Sequence, residues 1–170
     1  MMESIHFREA RISDAAALIA YLKIVMGETN FMRLYPEEVK FSVEEEENFI
    51  KTMNEQENST LQLGLDGEKI VSVAGIHGQQ FMKFRHCGEF GISVLKQYWG
   101  KGIGKSMTIR LIDWSQQNDI LKKIILHVNA ENLVAIHLYQ SLGFKQEGLL
   151  KNDFYYEDRF VDTYIFGMQV

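Results

Sequence analysis

The chain has 170 residues, of which 46% are hydrophobic and 24% charged, the proportions of an ordinary soluble globular domain. A net charge of −5 argues against a nucleic-acid partner, whose binding needs a basic footprint. With Cys87 as the only cysteine, an intramolecular disulfide and a thiolate zinc cluster are both excluded.

The first ten residues carry acids and no apolar core, so no signal peptide is expected. The longest apolar run, Ala15 to Tyr21, is too short to span a bilayer. No stretch has linker composition. The expectation is one domain over residues 1–170, in the cytoplasm, with no membrane partner.

Residues 4–9 alternate apolar and polar and predict a first strand. Ser13-Asp14 supplies an N-cap for a helix through Met26, and Gly27 is its expected stop. Pro36 marks a loop. Ser42-Val43-Glu44-Glu45 is a capping box opening a second helix to about Glu55, with Phe49, Ile50 and Met53 as its apolar side. The acidic run Glu44–Glu47 reads as a solvated first turn favoured by the helix dipole.

Residues 61–65 and 69–76 flank Asp66-Gly67 and predict a hairpin. A strand over 88–94 precedes the stretch Y-W-G-K-G-I-G-K-S (98–106). A helix follows over about 103–118, with Ile103, Met107, Leu111 and Trp114 on one face. Residues 124–129 form a buried strand, and Asn132 to Leu142 a helix ended by Gly143. Two strands around a turn near Glu157-Asp158 close the chain. The order β-α-α-β-β-β-α-β-α-β-β predicts an α/β fold, a mixed and mostly antiparallel sheet with helices on its faces.

The glycine run is the chemical signal. Backbone N–H groups at a helix N-terminus, free of side chains, can cradle a pyrophosphate, and Lys101 and Lys105 add positive charge. An ATP-binding P-loop requires G-x-x-x-x-G-K-[ST], but the residue five before Gly104 is Trp99. A dinucleotide fingerprint fails at its third glycine, where Lys105 stands.

The stretches G-E-F-G-I-S-V (88–94), V-L-K-Q-Y-W-G-K-G-I-G (94–104) and N-A-E-N-L-V-A-I-H-L-Y-Q-S-L-G-F (129–144) resemble the Gcn5-related N-acetyltransferases. The resemblance implies the acyl-CoA N-acyltransferase fold, and acetyl-CoA as co-substrate with no metal. It also implies transfer of the acetyl group to a primary amine, on a small molecule or a peptide N-terminus. A non-catalytic acyl-CoA-binding module of the same fold is the alternative.

Two registers fit the family's Q/R-x-x-G-x-G/A loop. Gln97-x-x-Gly100-x-Gly102 matches literally. Trp99-x-x-Gly102-x-Gly104 lies where the family places the loop relative to the preceding strand, and is preferred. It puts Trp in the Gln/Arg position, a departure that resembles the branch of ribosomal-protein N-terminal acetyltransferases.

By the same resemblance, Trp99, Gly100, Lys101, Gly102, Ile103, Gly104 and Lys105 bind the pyrophosphate. Main-chain groups near Ile92 and Val94 hold the pantetheine arm in a gap where the strand splays from its neighbour. Asn132 contacts the arm. Tyr139 protonates the departing thiolate, and Glu89 is the candidate base.

The five histidines show no metal-ligand spacing, and His127 and His137 are expected to be structural or on the surface. The aromatic run Phe154-Tyr155-Tyr156, with Phe160, Tyr164 and Phe166, is read mainly as strand packing, with a share for an acceptor pocket or a homodimer contact. The stretch 30–41 is read as a loop over the acceptor.

Overall fold

The computed structural model describes residues 5–170; Ser4, the predicted start of the first strand, lies outside them. Seven strands form one sheet: β1 (His6–Glu9), β2 (Thr60–Asp66), β3 (Lys69–Gly78), β4 (Cys87–Val94), β5 (Lys123–Asn129), β6 (Lys145–Tyr156) and β7 (Arg159–Gln169). Their order across the sheet is β1-β2-β3-β4-β5-β7-β6. Every neighbouring pair is antiparallel except β4 with β5.

Four helices cover the sheet: α1 (Ala15–Val25), α2 (Val43–Glu55), α3 (Ile103–Gln117) and α4 (Leu133–Ser141). On one face, Leu18 and Tyr21 of α1 and Ile50 and Met53 of α2 pack with Leu61, Leu63 and Leu65 of β2. On the other, Ile103, Met107 and Leu111 of α3 and Ile136 and Tyr139 of α4 pack with Phe90, Ile124, Leu126 and Phe166. The sheet thus separates two cores, each closed by a helix pair.

Two local expectations are corrected. Asp14 has helical backbone angles and its side chain makes no cap bond to α1; a 3-10 turn over Ile12–Asp14 precedes α1 instead. The Asp14 carboxylate accepts from the Arg8 guanidinium at 2.7 and 2.8 Å and from the Arg11 N–H. Those charge-assisted bonds hold it below the usual carboxylate range.

The acidic first turn of α2 is not uniformly solvated either. Ser42 and Glu45 do close the capping box. Glu46, however, is only 5% exposed, and burial pushes its carboxyl upward. Period 3.6 explains it: Glu46, Ile50 and Met53 fall on the inward stripe, and Phe49 points outward.

Turn chemistry behaves as the sequence requires. Gly67 takes φ 58° in the β2–β3 hairpin. Glu157 and Asp158 both take positive φ, at 49° and 57°, in the two-residue turn joining β6 to β7.

Candidate active site

The parallel ladder between β4 and β5 is short. It pairs Cys87 with Lys123, Gly88 with Ile124 and Glu89 with Ile125, and then stops. Both strands continue, β4 to Val94 and β5 to Asn129, so a gap opens between them.

The other edge of β4 fixes what faces the gap. Leu95 N–H bonds to Val71 C=O and Gln79 N–H to Cys87 C=O, at 3.0 Å each, in the register that pairs β3 with β4. In an antiparallel ladder only alternate residues bond to a given neighbour. The odd-numbered residues of β4 therefore serve β3, and the main-chain groups of Ile92 and Val94 turn to the gap. The Val94 carbonyl is taken by the Trp99 indole N–H at 2.7 Å, which braces the strand end while leaving that ring 47% exposed.

Beyond Trp99 the chain turns through Gly100 (φ 72°) and Gly102 (φ 79°), left-handed conformations that favour glycine. A Cβ on either would meet no atom within 4 Å, so both border open space. Gly102 caps α3, and the first helical bond runs from Ser106 N–H to Gly102 C=O. The N–H groups of Ile103, Gly104 and Lys105 thus have no intrahelical partner, and they carry the positive end of the helix dipole.

Tyr98 anchors the loop by donating to Asp66 at 2.6 Å. Lys101 lies over the Tyr98 ring at 4.6 Å, so its side chain is engaged with the loop's own anchor.

Tyr139 packs from α4 against Phe90 of β4. Its ring meets Phe90 and Phe144 edge-on, with centroids 6.0 and 5.7 Å away. Burial pushes its phenol up to about 12, so it is protonated at neutral pH. Asn132 stands outside the helix as its N-cap, and its Oδ1 accepts from Ala135 N–H at 3.2 Å. Asn132 thus has one side-chain atom committed to capping, with its amide NH2 left over.

Glu89 lies on the opposite face of β4 from Phe90, the face on which the Ser93 hydroxyl meets that of Tyr21 at 2.9 Å. Glu89 Oε1 is 3.2 Å from Nδ1 of His127 on β5 and 4.0 Å from the Arg33 guanidinium. His127, expected to be structural or on the surface, lies on the face of β5 opposite Leu126 and Val128, against Glu89. Arg33 had no signal beyond its loop.

A cavity of about 300 Å³ adjoins this cluster. Met32, Arg33 and Tyr35 from the loop after α1 form one wall, and Phe154 and Tyr156 near the β6–β7 turn form the other. Tyr35 stacks on Tyr156, with ring centroids 6.4 Å apart. Of the remaining aromatic run, Phe166 is core, Tyr164 is half-buried and Phe160 is exposed.

Residues 27–144 match the Acetyltransferase (GNAT) family. The chain belongs to that family. A GNAT-family acetyltransferase from Streptococcus pneumoniae shares its fold over 98% of this chain and 100% of that one, with a TM-score of 0.95 and 33% identity. A Salmonella typhimurium protein solved with its cofactor acetyl-CoA has a TM-score of 0.84, at 18% identity over 98% of this chain and 94% of its own. At that identity it shows the fold alone.

Spermidine N(1)-acetyltransferase of Vibrio cholerae is 39% identical over 75 residues, 44% of this chain. The match spans 43% of that relative's length. Among the described residues, no group of three or more His, Cys, Asp or Glu could hold a metal ion. No helix among the described residues is long and apolar enough to cross a membrane.

Proposed function

We propose that the protein is a cytoplasmic N-acetyltransferase that moves the acetyl group of acetyl-CoA to a primary amine by direct attack. The observation that carries this reading is the β4–β5 gap. It is lined by the main chain of Ile92 and the N–H of Val94 and runs into a glycine-lined helix N-terminus.

The free N–H groups of Ile103, Gly104 and Lys105 take the pyrophosphate. Gly100 and Gly102 keep that space clear. Trp99 acts structurally through Val94, which suits a loop that binds with main-chain amides. Ile92 and Val94 pair with the pantetheine arm, and the Asn132 amide NH2 donates to it. The Val94 N–H polarises the thioester carbonyl as the tetrahedral oxyanion forms.

The amine enters from the Glu89 face. Glu89 removes a proton, directly or through water, and the nitrogen forms its bond to the acetyl carbon. The carbon–sulfur bond then breaks, and Tyr139, on the far face of the sheet, protonates the departing CoA thiolate through the gap. His127 steadies the Glu89 carboxylate. The Vibrio relative's name puts spermidine among the acceptors to be tried.

Thiol release on mixing the protein with acetyl-CoA and a panel of amines tests the reading. Amine-dependent release supports it. Tight acetyl-CoA binding with no release from any amine would make the protein a non-catalytic acyl-CoA-binding module instead.

A further inference from the structure

The cavity beside Glu89 says more about the acceptor than the donor half does, and the inference here rests on the acetyltransferase reading above. We infer that the acceptor is a free α-amino acid with a large apolar side chain, its amine held by Glu89 and its carboxylate by Arg33.

Three observations carry this. First, the only charged side chain lining the cavity among the described residues is Arg33, a cation. A polyamine keeps further ammonium groups after one nitrogen has been placed for attack. In this cavity they would meet a guanidinium, and like-charge juxtaposition disfavours binding. A neutral or anionic body is favoured.

Second, Arg33 and Glu89 stand 4.0 Å apart, with Arg33 67% exposed and free to move. Opposite charges side by side match the ammonium and carboxylate of an α-amino acid, which are separated by a single carbon. Such a zwitterion exchanges the weak Arg33–Glu89 contact for two charge-assisted ones, and guanidinium binds carboxylate in bidentate fashion.

Third, the rest of the lining is mostly apolar and aromatic, with Met32, Leu34, Tyr35, Phe154 and Tyr156 beside the polar Thr29 and Asn30, and the two tyrosines stacked on each other. An apolar side chain gains burial there, and an aromatic one gains ring contacts as well. The volume of about 300 Å³ sits at the lower end for small-molecule sites and suits a single amino acid.

The experiment compares phenylalanine, phenethylamine and spermidine as acceptors by thiol release, with wild type and with Arg33→Ala. Phenethylamine keeps the amine and the ring and lacks only the carboxylate. The inference expects kcat/KM for phenylalanine to exceed that of both others by about tenfold or more, the scale of a hydrogen-bonded charge pair. Arg33→Ala should erase the advantage over phenethylamine by raising KM for phenylalanine far more than KM for phenethylamine.

Equal use of phenylalanine and phenethylamine, an Arg33→Ala variant that keeps the preference, or spermidine as the best acceptor would each overturn the inference and leave the acetyltransferase standing. Failure of all three amines alongside tight acetyl-CoA binding would strike at the acetyltransferase reading itself.

Discussion

The donor half of the molecule and the acceptor half are built on different principles. The donor half, from β4 through α4, works with main chain: a ladder that stops at Glu89, two left-handed glycines and a helix N-terminus. Its geometry leaves few choices of residue, so it writes a motif. The proposed acceptor half is made of side chains from two segments over a hundred residues apart, Met26–Pro36 and Phe154–Tyr156. Many side chains can line a cavity of that size, and none of them has a fixed spacing. On the proposed reading, one half reports the reaction and the other selects what is acetylated.

That division can be broken by mutation. The largest effect is expected for Tyr139→Phe. Losing the acid should lower kcat about a hundredfold or more with every acceptor and leave acetyl-CoA affinity nearly unchanged. Stopped-flow thiol release together with calorimetric titration of acetyl-CoA separates the two quantities. A fall in acetyl-CoA affinity as large as that in kcat would make Tyr139 a packing residue.

Next comes Gly102→Val. A β-branched residue at φ 79° is strained, and its side chain fills the space before α3. Acetyl-CoA affinity should weaken by about tenfold or more, from strain of roughly 1–3 kcal/mol, whichever amine is offered. Unchanged affinity would place the pyrophosphate elsewhere.

Tyr35→Ala should do the reverse. Loss of the Tyr35–Tyr156 stack raises acceptor KM by about three- to tenfold, on the scale of an aromatic pair, with acetyl-CoA affinity intact. If it weakened acetyl-CoA as well, the two halves would not be separable.

The smallest effect concerns Glu46, away from both sites. Burial raises its folded-state pKa above the unfolded value, so its ionised form costs stability. That penalty is complete above the folded pKa and vanishes below the unfolded one. Glu46→Gln should therefore raise Tm, and by more at pH 8 than at pH 5. An equal gain at both values would mean that Glu46 is not desolvated.

Most of the fold was legible because its elements carry local signals. The Ser42 capping box, the Asp66-Gly67 hairpin, the stop at Gly143 and the periodicity of Ile103, Met107 and Leu111 all act within a few residues. Asp14 misled because an N-cap residue type also serves an ion pair, here with Arg8. Glu46 misled because three neighbouring acids masked its place on the inward stripe. Near the candidate site, the glycine turn ahead of α3 was readable from spacing. The contacts of Glu89 with His127 and Arg33 were not, since they join three segments that only the sheet and the loop after α1 bring together.

The central claim is that the β4–β5 gap and its glycine loop form an acetyl-CoA site. The most direct measurement is a thermal shift of the purified protein with acetyl-CoA, ATP–magnesium and NAD in parallel. At a hundred times its Kd, acetyl-CoA should stabilise the fold by about 2.7 kcal/mol. At about 2–4 °C per kcal/mol that is a rise of several degrees, with no comparable response to the other two. No rise with acetyl-CoA, or a rise with ATP–magnesium alone, would contradict the account.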